Sequence, residues 1–145
     1  MRLADTNLLV YAADKDSPHH AVSHRWLENS LSDARGLGLA WLSVIGFVRL
    51  TTHPKLSVTP RTVAQALSYV DDWLNHANCH ILHPTTRHGD ILARLLIEVG
   101  TAGNLTNDAH LAALAIEHKA EIGTFDRDFN RFSGLQFQLL ASKIL

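Results

Sequence analysis

Apolar residues fall in short blocks that alternate between strand-like runs and a helical period of three or four. The first block, Arg2-Leu3-Ala4-Asp5, predicts a buried strand ending in a carboxylate, followed by one or two helical turns over Thr6 to Ala13. A polar break, Asp14-Lys15-Asp16-Ser17-Pro18, opens an amphipathic helix to about Ala34 carrying Ala21, Val22, Trp26, Leu27 and Leu31. Leu37 to Trp41 predicts a second strand, and Ser43 is placed to cap a helix running to Thr52, closed by His53-Pro54. Pro60 opens a further helix in which Val63, Leu67, Val70, Trp73 and Leu74 recur. Cys79 to Leu82 predicts a third strand, and Ile91, Leu92, Leu95, Leu96 and Val99 mark a helix from Thr86. After a loop at 100–104 come an Ala-rich helix from Asp108 to Lys119 and a fourth strand, Glu121 to Phe125. Leu135 to Leu140 adds an edge strand.

Short strands separated by helices imply a parallel sheet with helices on both faces, because parallel neighbours need long, right-handed crossovers. The expected fold class is therefore α/β, with a short, mostly parallel sheet flanked by helices in one domain over 1–145. The composition, 46% apolar and 19% charged, suits a globular core rather than disorder. A formal charge of -1 supplies no global attraction to nucleic acid or acidic membrane, so any such binding must come from a local cluster. The single cysteine, Cys79, excludes an internal disulfide and reads as a small buried hydrophobe in a reducing compartment. With no apolar run near the ~18 residues of a membrane span and no signal-peptide pattern, no membrane association is expected and the cytoplasm is the expected location.

Ligands of open parallel sheets gather at the C-terminal strand ends, where strand order reverses. Asp5 and Asp126 each follow a predicted strand directly, and Asp108 opens the helix that feeds the fourth strand. Asp128 is a further acid on the same turn as Asp126. Each alone has a local alternative as a helix cap or a polar-turn residue, but together they converge on one edge. Carboxylates so placed oppose one another's ionisation unless a cation joins them. Mg²⁺, with Mn²⁺ as a substitute, takes oxygen ligands, activates water and stabilises charge on a phosphate, so the pattern points to phosphodiester hydrolysis. Arg49 either meets a phosphate or pairs with a surface acid, and Arg127 and Arg131 flank the acidic turn. The ten histidines form no HExxH, and Cys79 with His80 and His83 lacks a second cysteine, so surface or capping roles are expected for them. A phosphotransfer receiver domain would need an early acidic pair and a late lysine, and neither occurs.

Three segments carry a resemblance: Ala4-Asp5-Thr6-Asn7-Leu8-Leu9-Val10-Tyr11, Asn107-Asp108-Ala109-His110-Leu111-Ala112-Ala113-Leu114-Ala115, and Thr124-Phe125-Asp126-Arg127-Asp128-Phe129. They resemble the signature segments of PIN-domain proteins, in particular the VapC-type toxins of prokaryotic type II toxin–antitoxin systems, and Phe47 to Pro54 resembles a run in one branch of them. The resemblance implies a PIN-like three-layer sandwich acting as a Mg²⁺- or Mn²⁺-dependent endoribonuclease, paired with itself and neutralised by a cognate antitoxin. By position, Asp5 and Asp108 match the principal metal ligands and Asp126 the third acid. Asp128 is a weaker match, and Thr6 and Thr124 match small polar positions that orient the acids. The family usually carries a glutamate on the helix after the second strand. Here Ser43 or Gly46 stands in its place, with Asp90 a distant substitute that reads better as an exposed helix residue. A non-catalytic PIN-like module that binds RNA or protein is the competing expectation.

Overall fold

The computed structural model describes residues 1–141. Five short strands, β1 (Arg2–Ala4), β2 (Leu37–Leu39), β3 (Cys79–Ile81), β4 (Glu121–Thr124) and β5 (Phe137–Leu139), form one sheet in the order β3-β2-β1-β4-β5. Every pairing is parallel, with Leu3 opposite Gly38 on one side and Ile122 on the other. The helices are α1 (Thr6–Ala13), α2 (His20–Ser32), α3 (Trp41–Thr52), α4 (Val63–Leu74), α5 (His88–Val99) and α6 (Thr106–His118). The chain steps outward from β1 to β2 to β3, then jumps back across β1 to β4. Because crossovers keep one hand, that reversal moves the later helices to the opposite face.

The two cores show this division. Ala4, Leu37 and Leu39 pack with residues of α1 to α4, among them Leu8, Trp26, Phe47 and Trp73. Leu3 and Ile122 point the other way into α5 and α6, against Leu95, Leu111 and Leu114. Alternation along strands of three or four residues is enough to build an α/β/α sandwich, since the central strands β1, β2 and β4 are covered on both faces. Gly123 is required by this packing. A Cβ there would lie 2.4 Å from the Trp26 indole, whose Nε1 donates to Gln138 Oε1 at 3.2 Å.

Several boundaries differ from expectation. The second strand ends at Leu39 and α3 begins at Trp41, so Ser43 lies inside the helix and caps nothing; its Oγ is buried without a hydrogen-bond partner among the described residues. The fourth helix starts at Val63, behind Thr62 rather than at Pro60. Thr62 Oγ1 accepts from the Gln65 amide at 3.1 Å and Gln65 Oε1 from the Thr62 amide at 3.0 Å, a reciprocal capping box that defines the start more strongly than a proline upstream. The second and fifth helices likewise begin two residues late, at His20 and His88. Cys79 is half-buried on β3, and burial pushes its thiol up to about 11, so it stays protonated and unreactive at neutral pH. No helix among the described residues is long and apolar enough to cross a membrane.

Candidate active site

The reversal of strand order opens a crevice where β1 and β4 end side by side. Asp5 closes β1, its amide donating to Gly123 O across the pair at 3.0 Å, and its side chain caps α1 by accepting from the Thr6 amide at 2.8 Å. The capping and site readings of Asp5 are thus not exclusive, because its second oxygen faces the other way. Asp5 Oδ2 accepts from the hydroxyl of Thr124, the fully buried last residue of β4, at 2.7 Å. Thr124 Oγ1 in turn accepts from the Asp126 amide at 2.9 Å, and Asp126 Oδ1 accepts from the Asp128 amide at 2.8 Å. Asn7 Oδ1 also meets the Phe125 amide at 3.5 Å, tying the turn after β1 to the turn after β4.

Asp108 arrives from the opposite face of the sheet. Since α6 begins at Thr106, Asp108 sits on its first turn rather than at its cap, where a negative charge is favoured by the helix dipole. It lines a cleft of about 490 Å³ together with Asp5, Thr6, Asn7 and Asp126. The far wall is the inner side of α3, with Leu42, Ser43, Ile45, Gly46 and Arg49, and Asn104 and Asn107 form the rim beside Asp108. Of the other sequence candidates, Thr6 holds Asp5 through its backbone amide, while Thr124 does so through its hydroxyl. Asp128 stands outside the cleft lining, half-exposed, with Arg131 at 3.6 Å. Arg49 lines the cleft and has no acid at ion-pair distance among the described residues. Asp90 is exposed on α5, away from the cleft.

No sequence signal marks Asn104 and Asn107 as cleft residues, apart from the position of Asn107 immediately before Asp108. Leu42 and Ile45 carry no chemical signal of their own and are visible only through their place on α3.

The electrostatics are those of an acid cluster without a cation. Asp5 is only 8% exposed, and burial raises its pKa against the pull of the Thr124 and Thr6 hydrogen bonds, with Asp126 adding repulsion. Asp108 is pushed up to about 7, first by burial and then by the charges of Asp5, Asp126 and Asp128. No donor or cation among the described residues relieves it. The donor set is all oxygen and all acidic, which fits a hard divalent cation. No three His, Cys, Asp or Glu side chains among the described residues stand close enough to cage an ion by themselves. Asp5 and Asp108 therefore fit an ion that keeps most of its waters, as Mg²⁺ does when held by one or two carboxylates.

Gly46 explains how the cleft does without the expected glutamate. A Cβ at this position would sit 2.9 Å from Thr6 Cγ2, so the methyl of Thr6 fills the space through which a longer side chain would leave α3.

Residues 2–135 match the family model described as PIN domain. Ribonuclease VapC37 of Mycobacterium tuberculosis is 47% identical over 137 residues, 94% of this chain and 95% of that relative. Ribonuclease VapC33 of the same species is 38% identical over 94% of this chain and 96% of its own length. Among solved structures, VapBC2 from Rickettsia felis, bound to a DNA fragment from its promoter, superposes with a TM-score of 0.70 at 21% identity, covering 94% of this chain and 96% of that one. VapC20 of Mycobacterium tuberculosis, described as a sarcin-ricin loop cleaving toxin, gives 0.68 at 14% identity over 94% and 99%. With its acids gathered at the strand-order reversal of a parallel sheet and these relatives across almost its whole length, the chain belongs to the PIN-domain family, in its VapC branch.

Proposed function

We propose that this protein is an endoribonuclease toxin that hydrolyses RNA phosphodiester bonds with Mg²⁺, or Mn²⁺ in its place, and is neutralised by a cognate antitoxin. The observation that carries the proposal is the convergence of Asp5, Asp108 and Asp126, from three distant segments, on one cleft where burial and neighbouring acids raise the pKa of Asp5 and Asp108 and no cation among the described residues pairs with them. The relatives named ribonuclease VapC support RNA as the substrate, and the solved VapBC assembly supports an antitoxin partner.

Asp5 and Asp108 are the metal ligands in this proposal. Thr124 and the Thr6 amide hold Asp5 in one orientation, leaving the carboxylate no rotamer freedom to lose on binding. When bound, the divalent ion supplies positive charge to the phosphate under attack and acidity to the attacking water. Asp126, fixed by the Asp128 amide, stands at the cleft edge as the third acid, placed to accept a proton. Arg49 offers its guanidinium to a backbone phosphate entering over α3. Recognition of RNA rests on shape and accessible loops rather than a groove code. Pairing of the toxin with itself and a cytoplasmic site of action belong to the same proposal.

The test is divalent-dependent cleavage of total RNA by the purified protein, with product ends sequenced and Asp5→Ala and Asp108→Ala as controls. Loss of cleavage in both variants, with circular dichroism unchanged, is expected. Cleavage at the parent rate by either variant would overturn the assignment. The absence of an acid at Gly46 favours a second reading, a PIN-like module that binds RNA without cutting it. That reading requires no heat of Mn²⁺ binding in calorimetry.

A further inference from the structure

Where α5 packs on α6, away from the acid cleft, a second polar cluster is built from residues far apart in the sequence. Glu117, near the end of α6, has no exposed side-chain area. Its Oε1 accepts from the Thr85 amide at 2.9 Å and the Thr85 hydroxyl at 2.5 Å, and its Oε2 lies 2.5 Å from His88 Nδ1. Burial works to raise the Glu117 pKa, but the hydrogen bonds from Thr85 and His88 outweigh it and hold the carboxyl below its ordinary value. An ionised carboxylate only accepts, so His88 Nδ1 carries a proton, and in the neutral imidazole Nε2 then presents a lone pair. That lone pair faces His110 Nδ1 at 3.0 Å, with the two rings 4.8 Å apart at 72°.

A carboxylate that fixes an imidazole's tautomer and aims its free nitrogen is the arrangement found behind metal-bound histidines. Two imidazole nitrogens at about 2.1 Å from a tetrahedral ion stand about 3.4 Å apart, about 0.4 Å beyond the present 3.0 Å. We propose that His88 and His110 form a transition-metal site, with Zn²⁺ as the representative ion, in which Glu117 orients His88 and the ion takes the place of the proton between the rings, His110 releasing its Nδ1 proton and taking one from water at Nε2. No third His, Cys, Asp or Glu joins them as a ligand among the described residues, so water completes the coordination and binding is weaker than at a four-ligand structural site. The nitrogen donors separate this site from the acid cleft, whose oxygen donors suit Mg²⁺. Clamping the first turn of α5 to α6 would tie together the two helices of that face.

The other close histidine pair is His20 and His24 on α2, with rings 5.5 Å apart. His20 Nδ1 is engaged with Tyr11 O at 3.0 Å and His24 faces Glu28 at 3.5 Å, so neither is aimed at the other by a buried carboxylate. It serves as the internal control. The experiment titrates Zn²⁺ into tag-free, metal-stripped protein by calorimetry in excess Mg²⁺, and follows Co²⁺ by its visible absorption. One ion per chain is expected, weakened at least tenfold in His88→Ala and His110→Ala, ten- to hundredfold in Glu117→Gln, and unchanged in His24→Ala. Because His88→Ala could release α5, the parent protein is also observed by ¹⁵N-imidazole NMR, where His88 and His110 should shift first. No Zn²⁺ uptake by the parent, uptake unaffected by His110→Ala, or NMR shifts confined to His20 and His24 would each overturn the proposal.

Discussion

Asp108→Asn should make the metal-free protein more stable, and only above acidic pH. In the folded chain Asp108 keeps its proton up to about pH 7, because burial and the charges of Asp5, Asp126 and Asp128 oppose its ionisation. In the unfolded chain it ionises near its ordinary 3.8. Between these values the folded state holds the extra proton, so raising the pH from about 4 to about 7 steadily removes stability, and above the folded pKa the loss is complete. At about 1.4 kcal/mol for each pH unit, the span from 3.8 to about 7 corresponds to about 4 kcal/mol. Asparagine has no charge to suppress. Urea unfolding in EDTA should therefore show Asp108→Asn and parent nearly alike at pH 4, with the variant ahead by up to about 4 kcal/mol at pH 8. With a urea slope of about 2 kcal/mol/M, the midpoints separate by roughly 2 M. Adding Mn²⁺ at pH 8 should restore the parent and leave the variant unmoved, since only a ligand bound to the folded state stabilises it. Equal midpoint differences at pH 4 and pH 8, or no gain at pH 8, would refute the claim that Asp108 is an opposed acid.

Thr124→Val removes the buried donor to Asp5 and leaves the part-buried Asp126 amide without its acceptor, so about 1–3 kcal/mol of stability should go together with most RNA cleavage. Thr124→Ser should keep both, and indistinguishable urea midpoints for the two variants would contradict this. Gly46→Glu alone should not tighten Mn²⁺ binding in calorimetry, because its Cβ meets Thr6 Cγ2. Combined with Thr6→Ser, which removes that methyl, it should. Gly123→Ala forces a methyl against the Trp26 indole and should cost about 2–3 kcal/mol, with a shift in tryptophan fluorescence; an unchanged melting temperature would mean the sheet yields more easily than its packing indicates.

The alternation of strands and helices was legible because each apolar block carries one period, and the fold class follows from that alternation. Boundaries were less so. Leu37 to Trp41 reads as one apolar run because a strand buried on both faces passes through a single residue, Ala40, into a helix whose first turn is also apolar. The Thr62 to Gln65 capping box lies in plain view, yet Pro60 is the louder punctuation. The acids of the cleft were legible because each sits next to a strand end or a helix start. The rim was not, since Asn104 and Leu42 acquire meaning only from the path of the chain. Histidine spacing likewise fails at His88 and His110, which are 22 positions apart and adjacent only because α5 lies on α6.

The hydroxyl bridge from Thr124 to Asp5 spans 119 positions of the chain, and this gives the protein a schedule as well as a shape. Asp5 is made among the first residues, but its second oxygen stays unmatched until β4 exists. At 5–20 residues per second, the partner is synthesised roughly 6–24 seconds later. β2 can pair with β1 much earlier, so the growing chain can satisfy one edge of its first strand while the acid corner is still missing. Nothing shorter than the segment through Thr124 can assemble the cleft. On the proposed function, the order of the strands would hold an RNA-cutting cleft incomplete through most of its own translation.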